Sequence, residues 1–124
     1  MFFGGINSEQ KKIYNIVKQS QEKAEESIRK NIEKKIKFNE VDKAARDFIL
    51  KSGYPSIPHA LGHGIGIEVH ERPHVSFRSD EVLEKGMVFS IEPGIYLEGL
   101  GGVRIEDLFY YSGSDLIKLT NSKS

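Results

Sequence analysis

Cysteine is absent from this sequence of 124 residues. Its absence excludes disulfides, thiolate metal sites and a cysteine nucleophile, and a cytoplasmic setting fits that composition. Long apolar runs are missing too: nothing approaches the ~18 consecutive apolar residues that a membrane-spanning helix needs, so no membrane partner is expected. The opening Met1-Phe2-Phe3-Gly4-Gly5 carries no basic segment, and its apolar run is too short for a secretion signal. Net charge is zero, from 18 Lys and Arg against 18 Asp and Glu. Internal repeats and low-complexity stretches are lacking as well. With 38% hydrophobic and 29% charged residues the chain lies at the polar end of globular composition, and its length suits one compact domain.

The zero net charge hides an asymmetry. Residues 1–53 hold 12 Lys and Arg against 8 Asp and Glu, whereas residues 54–124 hold 6 against 10. In the basic half Lys and Glu are interspersed with few aromatics, which describes a solvated helix surface and argues against a nucleic-acid partner. The acidic half contains all 4 histidines, and so suits a divalent cation better than a phosphate.

Read in order, Phe2-Phe3-Gly4-Gly5 has the texture of a strand end whose beginning is missing. Asn7 or Ser8 can cap a helix, with Gln10 placed to close a capping box on Asn7. Apolar Ile13, Ile16, Val17, Ala24, Ile28 and Ile32 recur at three- and four-residue steps, predicting one helix from about residue 8 to about residue 33. A second helix is expected after Asn39, burying Val41, Ala44, Ala45, Phe48 and Ile49, with Gly53 just past its last turn. Beyond Tyr54 the pattern turns to β. Ile65, Ile67 and Val69 alternate with Gly66, Glu68 and His70 until Arg72-Pro73. Residues 74–86 read as a polar connection, Met87–Glu92 as a strand that Gly94–Leu97 resumes, and Glu98–Gly102 as a turn. Val103–Tyr111 reads as the return strand and Leu116–Leu119 as a short last one. Helices first and antiparallel strands afterwards define an α+β chain.

Chemistry concentrates in Pro58–Glu71, which holds three of the four histidines, two glutamates and three glycines. His59 and His63 are four apart, as in zinc-binding helices, but Ala60 stands where such a motif needs glutamate. Pro58, Gly62, Gly64 and Gly66 also deny a helix, so the pair belongs to a loop entering a strand. Each histidine taken alone would ordinarily be a hydrogen-bonded structural group, and each glutamate a solvent-facing strand residue. Strand alternation, however, sets Glu92 on the face opposite Met87, Phe89 and Ile91, and sets Arg104 with Glu106 opposite Val103 and Ile105. Two antiparallel strands can then deliver Glu92 and Glu106 to one point, where His63 also ends. One imidazole with two carboxylates makes a first-row metal set.

Three stretches, H-A-L-G-H-G-I-G-I-E-V-H-E, G-M-V-F-S-I-E-P-G-I-Y and G-G-V-R-I-E-D, together resemble the pita-bread metallopeptidases in order and spacing. The ending V-R-I-E-D resembles the Xaa-Pro aminopeptidase and prolidase branch, and the similarity runs from about Phe2 to about Thr120. The resemblance implies the carboxy-terminal half of the pita-bread (creatinase/aminopeptidase-like) fold, two helices followed by a curved antiparallel sheet. It implies hydrolysis of the Xaa-Pro bond in proline-containing peptides or dipeptides. His63, Glu92 and Glu106 would be metal ligands, with Glu106 bridging two ions and Glu92 also the general base. His59 and His70 would be catalytic residues lining the substrate site, and Arg104 would orient a ligand carboxylate. His74 matches no role, and Asp107 reads as structural. Two divalent ions, Mn²⁺ or Co²⁺ with Zn²⁺ as a third choice, would lower the pKa of a shared water and polarise the scissile carbonyl.

The departure from the family is as informative as the match. Its site needs two aspartates on a hairpin that would precede Phe2, and residues 1–124 hold neither that hairpin nor an amino-terminal domain. Two divalent ions bring four positive charges against two negative ones from Glu92 and Glu106. The expectation is a partial catalytic domain that holds at most one ion and is inactive alone. Its partner would be an amino-terminal half supplied in trans, or a second copy in a homodimer. Two alternatives stay open: a metal-free peptide- or protein-binding module on the same fold, and a mononuclear hydrolase.

Overall fold

The computed structural model describes residues 8–32, 34–65, 74–99 and 101–121. The expectations for Phe2–Asn7, for the strand beyond Ile65 and for His70 lie outside them. Helix α1 spans Ser8–Arg29 and buries Ile13, Val17, Ala24 and Ile28, the apolar stripe seen in the sequence. Polar Gln10, Ser20, Gln21 and Glu25 are buried beside that stripe.

The helix stops about four residues short of the expected end, and Asn31 accounts for it. The Asn31 side chain donates to the Ser27 carbonyl at 2.7 Å, and its backbone N–H turns back to Ile28 at 3.0 Å. A short polar side chain thereby replaces the helical bond that Ser27 would otherwise accept.

Helix α2 spans Phe38–Lys51, one to two residues earlier than expected. Glu40 accepts from the Lys37 N–H at 2.9 Å, the side-chain half of a capping box, which fixes the start. The first-turn N–H groups of Phe38 and Asn39 find the Glu81 and Ser79 carbonyls, so the following loop satisfies donors that the helix cannot. Gly53 closes α2 at φ +90°, a conformation that disfavours any Cβ. Ser20 of α1 donates to the Ala45 carbonyl of α2 at 3.0 Å, joining the two helices.

Seven short strands follow: β1 (Gly62–His63), β2 (His74–Val75), β3 (Val88–Ile91), β4 (Gly94–Leu97), β5 (Gly101–Arg104), β6 (Asp107–Tyr111) and β7 (Leu116–Lys118). All their pairings are antiparallel, in ladders β1-β2, β3-β6-β7 and β4-β5. The connection expected at residues 74–86 therefore contains a strand, since His74 pairs with His63 and Val75 with Gly62. Gly64 bridges Phe89, and the Ile65 N–H reaches the Val88 carbonyl at 2.8 Å, laying the end of β1 along β3.

The long hairpin read from the sequence is broken in both arms at one level. Pro93 has no N–H to continue the β3 ladder. The chain re-pairs as β4 with β5, while the Ile105 N–H donates to the Pro93 carbonyl at 3.2 Å. Glu92 and Glu106 both lie in this double break.

The core sits between the helices and β3-β6. Phe38 meets Phe89 edge-on with centroids 5.4 Å apart, and Phe89 stacks with Phe109 at 6.3 Å. Phe89 and Ile91 face it as alternation requires, but Ser90 on the opposite face is also fully buried. The β1 backbone covers Ser90 so closely that a Cβ at Gly62 would overlap the Ser90 carbonyl. Among the described residues no helix is long and apolar enough to cross a membrane.

Candidate metal centre

His63 ends β1, Glu92 follows β3, and Glu106 lies between β5 and β6. One ligand atom from each of the three lies within 4.8 Å of the other two. Three ligand atoms spaced around one ion at bonds of about 2.0–2.2 Å lie about 3.3–3.8 Å apart, so the trio must draw in by up to about 1 Å, within reach of side-chain rotation.

The local bonding prepares each donor. His63 Nδ1 lies 3.1 Å from the Gly64 carbonyl, which can only accept, so in the neutral ring Nδ1 carries the proton and Nε2 the lone pair. That Nε2 stands 3.5 Å from Glu92 Oε2. Ser90 Oγ donates to the same Oε2 at 2.8 Å and accepts from the His63 backbone N–H at 3.0 Å. A single buried hydroxyl thus registers the histidine strand against the glutamate. Arg104 Nη1 lies 3.9 Å from Glu92 Oε1, an ion pair at the limit of contact whose arginine is half exposed. Glu106 is exposed, so water can reach this side of the cluster. An imidazole nitrogen and two carboxylates crowded together favour a divalent cation over an empty site, because the carboxylates repel each other until one is bound.

His59 lies apart from the three. Its Nδ1 meets the Ala60 carbonyl at 2.8 Å and its Nε2 the Tyr96 hydroxyl at 2.9 Å, with the rings edge to face. The Ala60 carbonyl makes Nδ1 the donor, so Tyr96 donates to Nε2. Tyr96 lies flat across the β4-β5 ladder, where Gly94 and Gly102 leave room for its ring; a Cβ would come within 2.7 Å and 2.5 Å of it respectively. Asp107 is buried, accepts from Thr120 Oγ1 at 2.7 Å and lies 3.5 Å from Lys118 Nζ.

Three contributors escape a reading of the sequence. Ser90 and Tyr96 have no motif of their own. Arg46 looks like one more solvated helix cation, yet it binds the buried Asp42 through two nitrogens at 2.7 and 2.9 Å. It also donates to the Ile57 and His59 carbonyls at 2.6 and 3.3 Å, pinning the loop that carries His59. The one available signal is the Asp42–Arg46 spacing of four, which places the pair on one helix face.

The profile of metallopeptidase family M24 matches residues 1–112. This chain belongs to that family. An Xaa-Pro dipeptidase of Pyrococcus horikoshii is 46% identical over 121 residues, covering 97% of this chain and 33% of the relative. A putative dipeptidase of Bacillus subtilis is 42% identical over 116 residues, covering 93% and 31%. Among solved structures, the prolidase from Pyrococcus horikoshii superposes with a TM-score of 0.84 at 44% identity, over 97% of this chain and 34% of that one. An X-Pro aminopeptidase from Thermotoga maritima gives 0.83 at 42% identity, over 95% and 33%. These likenesses establish the pita-bread fold for the matched segment. The M24 chain described here spans about a third of the length of the relatives it matches. As a member of a metallopeptidase family it belongs among proteins that use divalent metal, and His63, Glu92 and Glu106 are the described residues grouped to hold one.

Proposed function

We propose that this chain supplies one wall of a dinuclear metallopeptidase site that hydrolyses Xaa-Pro bonds, as the carboxy-terminal part of a larger catalytic domain. The observation that carries the reading is the convergence of His63, Glu92 and Glu106 within 4.8 Å, from three separate elements. The names of the relatives, Xaa-Pro dipeptidase, prolidase and X-Pro aminopeptidase, supply the substrate class.

In this reading His63 Nε2, Glu92 and Glu106 would hold the metal, and Glu106 would serve as a ligand common to both ions of the complete site. Bound divalent ions, Mn²⁺ or Co²⁺ before Zn²⁺, supply Lewis acidity toward the scissile carbonyl and lower the pKa of the attacking water. Glu92 takes up the proton of that water at its carboxylate, steadied by Ser90 on one oxygen and Arg104 near the other. His59 and His70 bind the substrate beside the reacting carbonyl. Two carboxylates balance two positive charges, so residues 1–124 alone would hold at most one ion and lack peptidase activity. The remaining carboxylates would come from the amino-terminal part of the catalytic domain, which the matched relatives' greater length leaves room for. We place the assembly in the cytoplasm, consistent with the cysteine-free composition.

Calorimetric titration of the chain with Mn²⁺ tests this directly. One weak site is expected, abolished by Glu92→Gln, together with no cleavage of an Xaa-Pro dipeptide. Tight uptake of two ions would overturn the incomplete-site argument. No uptake at all, even after addition of an amino-terminal half, would support a metal-free binding module.

A further inference from the structure

We propose that Gln21, on the inner face of α1, is a positioning residue for Glu92 and Glu106; this rests on the metal-site reading above. Gln21 is 1% exposed. Its Nε2 donates to the Ile91 carbonyl at 3.1 Å, and its Oε1 accepts from Lys118 Nζ at 3.3 Å. Lys118 Nζ in turn lies 3.5 Å from Asp107 Oδ2. Ile91 and Asp107 are the last paired residues of the β3-β6 ladder. Each is the immediate neighbour of a carboxylate in the cluster, Ile91 of Glu92 and Asp107 of Glu106. One buried amide thereby holds both strands a single residue inward from the two glutamates.

The hold on Glu92 is the tighter of the two. The peptide group linking Ile91 to Glu92 is gripped on both sides: its carbonyl by Gln21, and its N–H by the Leu61 carbonyl at 2.6 Å. Leu61 opens the segment that continues into His63. Rotating that peptide plane would swing the Glu92 side chain out of reach of Nε2, and the two bonds prevent it. Buried amides are costly to leave unpaired, so Gln21 would not occupy this position as mere filling. The helix therefore registers the metal ligands from behind, without touching them.

The test compares Gln21→Met, which keeps volume and removes both bonds, with Ser20→Ala on the same helix, whose hydroxyl serves α2 instead. Native-state hydrogen exchange is read first, because it needs no metal. The Glu92 amide should exchange at least about tenfold faster in Gln21→Met, with Phe89 unchanged, and should not respond to Ser20→Ala. Mn²⁺ affinity should fall about tenfold in Gln21→Met alone. Gln21→Asn, a neutral amide one methylene too short to reach the Ile91 carbonyl, provides the milder variant if Gln21→Met does not fold, and should also accelerate Glu92. Equal acceleration in Gln21→Met and Ser20→Ala, or an unmoved Glu92 amide, overturns the proposal. Absence of Mn²⁺ binding in the unmodified chain overturns the metal-site reading instead, and the exchange result still decides the role of Gln21.

Discussion

His59 and His63 stand four residues apart, and each turns its Nδ1 onto a backbone carbonyl next to it, at 2.8 Å and 3.1 Å respectively. Their Nε2 atoms then meet different surroundings. That of His63 faces the Glu92 carboxylate across 3.5 Å, and that of His59 accepts from the Tyr96 phenol at 2.9 Å. The region around His63 is regular: a strand end whose backbone is bonded to Ser90 and paired with β2. The region around His59 is irregular and held from the side by a single guanidinium. Equal tautomers therefore do not mean equal tasks. A lone pair opposite two carboxylates calls for a cation, whereas a lone pair already accepting from a phenol is taken and leaves no place for one.

Five substitutions break or sharpen that contrast. Gly62→Ala should have the largest effect, because the new methyl would overlap the Ser90 carbonyl and prise β1 off β3. A loss of about 3 kcal/mol or more is expected, read as a shift of the urea transition, and both histidines would lose their places. Arg46→Ala should follow, at about 3 kcal/mol in the same assay, since it strands the buried Asp42 carboxylate. Here the two regions should separate: NMR signals of the His59 loop should broaden or move while those of His63 hold. His63→Ala should then weaken Mn²⁺ binding by about 100-fold with little change in stability, while His59→Ala leaves it within about threefold. Equal losses in the two variants would remove the distinction drawn here. Tyr96→Phe is the gentlest, costing under about 1 kcal/mol, and should shift the His59 Nε2 ¹⁵N resonance alone, with Nδ1 still protonated against the Ala60 carbonyl.

Much of this was legible in the sequence, for reasons that differ by element. Helix α1 is visible because Ile13, Val17, Ala24 and Ile28 repeat at helical spacing, and α2 because Val41, Ala45 and Ile49 do the same. The end of α1 is not legible because Asn31, just past the last turn, competes for a backbone carbonyl, an effect no periodicity reports. The strands β3 and β6 follow from alternation, yet their break at Glu92-Pro93 read as a continuation, because where a ladder re-pairs depends on its partner. His63, Glu92 and Glu106 were individually ambiguous and became a set only through the order of three motifs. Gln21 and Arg46 were hidden by composition: on paper each is one polar residue among many in a basic helical half, and only packing shows which of them face inward.

The double break at Glu92 and Glu106 has a mechanical consequence. Two strands leave one ladder at the same level and enter another, and buried Ile95 and Val103 tie the second ladder into the same core. The two carboxylates thus stand at a joint braced on both sides. Their backbone is fixed by the strands before and after it, while their side chains leave the sheet to gather with His63.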